Sequence, residues 1–218
     1  IAIKLVKEGK ADIPMKGILQ TSNFARAILN RETGLIPASG RRLVSQCGIF
    51  EYEGRFIMIT DAAININPDV ETQIGIVENA LPVAKALGND CPKVAVLSAV
   101  ENVTEKMAST VTAAEIAKRG VPGCIISGPL ALDGAISMES VKHKAIHDPV
   151  AGQADILLVP FIEIGNVLYK ACTYIAGKTM ASTICGASCP VVITSRADTP
   201  DSKYYSILMA VLRCIKGC

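Results

Sequence analysis

No GxGxxG pattern follows any apolar run in this 218-residue sequence, so a dinucleotide site has no support in its motifs. No two of its eight cysteines stand in CxxC spacing, and a chain that is 50% hydrophobic needs no disulfide framework to hold a core. A reducing cytoplasm is the expected compartment. Charge is sparse at 19%, and the 22 basic and 20 acidic side chains are interspersed. Without a basic stripe, a nucleic-acid partner is not expected. A membrane span is missing too: the longest uncharged stretch, 179–195, contains Gly186 and Pro190 and reads as two buried strands. The opening nine residues carry lysines and no small-residue cleavage site, so they do not resemble a signal peptide. They read as an amphipathic helix with no strand before it, and the expectation is that N-terminal residues are missing.

What is present is a regular alternation of short β-branched runs with helical patterns, the sequence form of βαβ units and a mostly parallel sheet. Strands are expected at 12–15, 44–50, 56–60, 94–97, 124–127, 156–159, 183–185 and 191–194. Helices are expected at 22–31, 69–87, 110–118, 138–147, 163–176 and 202–215. Asp69 and Gly88 bracket the second of these, and Pro82 inside it should kink or split it. The stretch 35–42, with Pro37, Gly40 and two arginines, is the expected linker or flexible loop.

Three strand-to-helix junctions carry polar groups suited to a phosphorylated ligand. In Pro190-Val-Val-Ile-Thr-Ser-Arg-Ala-Asp-Thr-Pro-Asp201, an apolar strand runs into Ser195, Arg196 and Asp198 just before a helix. Ligand crevices of open α/β sheets lie outside the carboxyl ends of strands, and Arg196 can grip phosphate oxygens bidentately. The same residues also suit a plain capping loop. The segment from Lys16 to Arg26 repeats the arrangement, with Thr21 and Ser22 able either to cap the helix or to hold phosphate at its N-terminus. Arg26 in that setting is more often a solvated helical charge than a ligand. After the buried strand ending at Pro160 come Glu163, Gly165, Asn166 and Lys170. Gly165 allows close backbone approach and Asn166 offers donor and acceptor, while Glu163 could serve only the helix dipole and Lys170 only the solvent.

A metal site has weaker support. His143 and His147 are four apart and Cys185 and Cys189 could complete a tetrahedral set, but Pro149 closely follows His147 and Cys189 precedes a proline. No metal is expected.

In this order, Ala11 to Gly17, Arg26 to Gly34, Thr60 to Asp69, Pro92 to Ser98, Gly128 to Asp133, Pro149 to Asp155, Gly165 to Lys170 and Thr194 to Asp198 resemble the phosphate acetyl/butyryl transferase family, closer to its butyryl branch. The resemblance spans nearly the whole chain. It implies two α/β domains of isocitrate/isopropylmalate dehydrogenase-like architecture, with 1–37 and 191–218 in the first and 38–190 inserted as the second. It also implies a homodimer. The implied reaction is direct exchange of a short or branched acyl group between coenzyme A, used as a substrate, and phosphate. Ser195 and Arg196 fall on the family's Ser-Arg loop and Arg26 on its phosphate- or coenzyme-binding arginine. Together with the segments above, the catalytic candidates are Ser195, Arg196 and Asp198. The substrate- and coenzyme-binding candidates are Lys16, Thr21, Ser22, Arg26, Asp133, Glu163, Gly165, Asn166 and Lys170. Two departures stand out. The acetyl enzymes' aspartate seven positions beyond the loop serine is Ser202 here, leaving Asp198 or Asp201 as the alternative base. The family's Pro-Asp-x-Glu-Ala-Gly-Asn reads Pro160-Phe-Ile-Glu-Ile-Gly-Asn, so Phe161 and Ile164 would reshape the acyl pocket if they line it. A member that binds coenzyme A or acyl phosphate without turnover is the alternative reading, and a metal-dependent dehydrogenase lacks the acidic ligands and adenine loop it would need.

Overall fold

The computed structural model describes residues 1–37 and 41–217. Strands β1 (Ser45–Tyr52), β2 (Arg55–Thr60), β3 (Lys93–Leu97), β4 (Ile125–Leu130), β5 (Ile156–Leu158), β6 (Ala181–Cys185) and β7 (Val191–Val192) form one sheet in the order β4-β3-β5-β2-β1-β6-β7. The β4-β3-β5-β2 half is parallel, as the βαβ pattern predicts. On the other half each neighbour is antiparallel, so β1 and β7 run against the remaining five strands. The β1–β2 connection is a tight hairpin through Glu53 and Gly54, both at positive φ, and a two-residue link cannot join parallel neighbours.

Alternation along the strands sorts side chains to two layers. Ile57 and Ile59 face a cluster shared with Leu130, Ala135 and Val141, while Met58 faces the other side with Ile76, Val77, Ala113, Ile116 and Met209. Helices α3 (Val70–Ala86), α4 (Ala108–Arg119) and α8 (Pro200–Lys216) cover the second face, and α5 (Leu132–Ile136), α6 (Met138–Lys144) and α7 (Ile162–Lys170) the first. A third cluster joins Phe24 and Ile28 of α2 (Thr21–Ile28) to Leu35, Val44, Ile184, Val191 and Ile193, with Ile3 and Val6 of α1 (Ala2–Lys7) against it.

Several expectations change. Residues 12–15 make no strand; Met15 forms a single parallel bridge to Val192, because Pro14 lacks a donor and β7 is only two residues long. Helix α3 is not split by Pro82: most of its surface, Ile74, Ile76, Val77, Ala80, Val83 and Ala84 included, is buried, and packing outweighs one lost backbone bond. Its Asp69 cap accepts from the Thr72 amide at 2.8 Å, and Gly88 follows its end at φ +91°, both as expected. Helix α6 stops at Lys144 with Ala145 left-handed, so His147 leaves the helix and does not share a face with His143. The helix expected at 163–176 ends its α-form at Lys170 and continues as a single wider turn, Ala171–Ile175. Helix α5 was not expected. Of the expected linker 35–42, residues 38–40 lie outside the described residues; Leu35 is core, and its carbonyl accepts from the Ser188 amide at 2.7 Å.

Candidate functional site

A cavity of about 280 Å³ opens against the β1-β6-β7 part of the sheet, beside α7. Because β1 and β7 run opposite to β2, it draws on both chain directions and lies partly over the sheet face, with Gln46 of β1 and Ser182 of β6 in its floor. That differs from the crevice beyond strand ends expected from a parallel sheet.

Seven of the expected residues line it: Lys16, Thr21, Asn166, Lys170, Ser195, Arg196 and Asp198. The Ser-Arg loop is held from within. Asp198 Oδ2 accepts from the Ser195 amide at 2.6 Å and Ser195 Oγ from the Ala197 amide at 3.3 Å. The capping of α8 falls instead to Thr199, which accepts from the Ser202 amide at 3.2 Å. Thus Ser195 and Asp198 do shape the loop, as the capping reading had it, and they also face the cavity. Arg196 is exposed.

Lys16 is only 5% exposed, with Nζ donating to the Gly17 and Leu19 carbonyls at 3.2 and 3.3 Å. Burial pushes its ammonium below the ordinary lysine value, the Arg196 guanidinium pushes the same way, and Asp198 opposes both. Two of its three donors are taken, which leaves one for a ligand. Helix α2 begins here with Gln20 as its N-cap and no side-chain cap bond, so of the two roles open to Thr21 and Ser22 the capping one is not taken. Uncapped first-turn amides make such an end a binding place for anions.

The remaining expected residues fall elsewhere. Arg26 is exposed on α2 and Ser22 is exposed beside Thr21; neither lines the cavity. Asp133 is ion-paired with Lys144 at 3.0 Å on α5, and this partner holds its carboxyl below the usual range. Glu163 lies in the first turn of α7 and lines a separate cavity with Phe161 and Ile164, so those two departures from the family pattern do not shape the Ser195 cavity. Gly165 does serve close approach, but to the chain's own loop: a Cβ there would stand 2.6 Å from the Asp61 carbonyl oxygen. Ser202 is buried, donates no side to the cavity, and Oγ accepts from the Met180 amide at 3.3 Å. Asp201 is exposed on α8 and does not line the cavity.

Sequence reasoning missed the floor. Asp61, 2% exposed, gathers the amides of Ala63, Ile64 and Asn65 at 2.9, 3.1 and 3.0 Å, which fixes Ala62 and Ala63 in the wall. Burial raises its carboxyl and these bonds oppose the rise. Asn166 Nδ2 donates to the Ala62 carbonyl at 3.2 Å, tying α7 to the same turn. Gln46 Nε2 donates to Ser182 Oγ at 2.7 Å, and burial pushes the pKa of the nearby Tyr169 hydroxyl far up. A polar residue at an inward strand position, such as Gln46, was the available signal.

The family model described as Phosphate acetyl/butaryl transferase matches residues 1–211. This chain belongs to that family. It is 46% identical over 217 residues to the phosphate butyryltransferase of Clostridium beijerinckii, covering 97% of this chain and 71% of that one. Among solved structures it is similar to a branched-chain phosphotransacylase from Enterococcus faecalis V583, at 41% identity and a TM-score of 0.89 over 97% of this chain and 77% of that one. A 4-hydroxythreonine-4-phosphate dehydrogenase from Klebsiella pneumoniae shares the fold alone, at 12% identity and a TM-score of 0.52 over 97% of this chain and 67% of that one. Among the described residues no group of three or more His, Cys, Asp or Glu is arranged to hold a metal, and no helix is long and apolar enough to cross a membrane.

Proposed function

We propose that the chain is a phosphate acyltransferase that exchanges a butyryl or other short or branched acyl group between coenzyme A and phosphate. The observation that carries the reading is the convergence of Lys16, Lys170, Ser195, Arg196 and Asp198 on one cavity in a chain of this family. The coenzyme thiol loses a proton and attacks the acyl carbonyl of acyl phosphate, an oxyanion forms, and phosphate departs as the thioester is made; the reverse direction retraces these steps. Arg196 and Lys16 take the phosphate charge, and the first-turn amides of α2 add donors. The Ser195 hydroxyl hydrogen-bonds at the reacting carbonyl. Asp198 is the carboxylate for the thiol proton, supported over Asp201 by its place in the cavity lining. Arg26 has no part in the cavity wall and is assigned to the coenzyme outside it.

With butyryl-CoA and phosphate, the purified protein releases free thiol, measured beside acetyl, propionyl and branched acyl-CoA. Coenzyme binding without release from any of them overturns transfer in favour of the binding-only reading, for which the buried Ser202 in place of a carboxylate is the motive.

Pairing through α8 is part of the proposal. Tyr205, Leu208 and Ile215 are exposed on one side of α8 and form, with Phe56, an apolar cavity of about 710 Å³. Such a face supports the homodimer that the family resemblance implies. Sedimentation equilibrium at micromolar concentration gives twice the chain mass and Leu208→Asp the single mass; a monomeric wild type overturns it. The division into 1–37 with 191–218 and 38–190 remains a proposal, and the cluster of Phe24 and Ile28 with Val191 and Ile193 also takes in Val44 and Ile184 of the second segment.

A further inference from the structure

We propose that Gly48 sets how long an acyl chain the enzyme accepts, acting through the ring of Tyr169; the inference rests on the transferase reading above. The charged rim of the cavity, Lys16, Lys170, Arg196 and Asp198, is unsuited to hydrocarbon. Apolar contact is left to Leu19, Ala62, Ala63, Tyr169, Tyr174 and Ile193. Among these Tyr169 rests on the β1 backbone at Gly48, so the strand sets where its large ring stands.

The ring is fixed from two directions. At its tip the hydroxyl is buried beside Gln46 and Ser182, which are 3% and 4% exposed and joined by the Gln46 Nε2 bond to Ser182 Oγ at 2.7 Å. At its edge the ring lies on the bare backbone of Gly48, where a Cβ would stand 2.6 Å from both Cδ2 and Cε2. The backbone behind the ring cannot retreat, since Gly165 and Asn166 bind α7 to the loop at Asp61 and Ala62. A methyl group on β1 therefore drives the ring about 1 Å toward the cavity it lines, to recover ordinary contact distance. That is close to the depth of one methylene. Gly48 touches no substrate; it positions Tyr169.

The test is the ratio of kcat/KM for butyryl-CoA to that for acetyl-CoA. Gly48→Ala lowers this ratio by about 10-fold or more, the discrimination one methylene gives in an apolar pocket. Tyr169→Leu raises the ratio, and adding Gly48→Ala to Tyr169→Leu leaves it where Tyr169→Leu put it, because the effect passes through the ring. An unchanged ratio in an active Gly48→Ala enzyme overturns the inference. Should Gly48→Ala not fold, Tyr169→Leu decides alone, and an unchanged ratio there overturns it too. A wild type with no thiol release on any acyl-CoA overturns the transferase reading itself, an outcome separate from a wild type that is active but whose variants keep the same preference.

Discussion

Arg196→Ala lowers kcat/KM for thiol release by about 10²- to 10³-fold, the loss expected when one oriented charge-bearing donor to a developing anion is removed. The fold should not notice. Arg196 is exposed in the loop after β7, and the loop's own bonds run between Ser195, Ala197 and Asp198, so stability stays within about 0.5 kcal/mol. Arg196→Lys recovers part of the rate, since a point charge remains but the planar fork for two phosphate oxygens does not. Loss of Arg196 also relieves the push it exerts on Lys16, whose pKa rises toward its ordinary value. Activity within threefold of wild type, with the protein folded, removes Arg196 from the phosphate site.

Gly165→Ala costs about 10²-fold in kcat/KM although Gly165 faces no substrate, because about 1 Å of misplacement at a reacting centre is worth that much. A Cβ at 165 meets the Asp61 carbonyl oxygen at 2.6 Å and the Ala62 Cα at 2.9 Å. Both are backbone in a turn that the Asp61 carboxylate holds by three amides, so α7 must move instead. Asn166, Tyr169 and Lys170 move with it, and all three line the cavity. Overpacking of this kind also lowers stability by about 1–3 kcal/mol, read as a fall in Tm. A folded Gly165→Ala protein with rates within threefold of wild type would show that α7 positions nothing in the reaction.

Parts of this site were legible before any coordinates. An apolar run such as 191–194 that stops at Ser195-Arg196 marks a strand end by composition alone, and Asn166 with Lys170 follow the run 156–159 in the same way, whereas Lys16 follows residues 12–15, which make only a single bridge. What could not be read is which side of a helix meets which wall. Arg26 follows Thr21 by five residues, and only the seating of α2 on Val191 and Ile193 decides that Thr21 reaches the cavity while Arg26 meets solvent. Asp133 looked equally suitable, but Lys144 engages it. Gln46, Ser182 and Tyr169 read as strand and helix interior, and their meeting depends on β1 lying between β2 and β6.

Local chemistry determined the element types, since β-branched runs, an Asp69 cap and a Gly88 stop act over a few residues. The long resemblance determined the family, because eight segments in one order are a property of sequence and need no contact. Tertiary structure alone decided the antiparallel half of the sheet, the removal of Arg26, Asp133 and Glu163 from the cavity, and the seat of Tyr169 on Gly48. The β1–β6 pairing and the walls of the cavity depend on contacts between residues over a hundred positions apart, such as Gln46 with Ser182 and Ala62 with Asn166, and no short-range pattern encodes them.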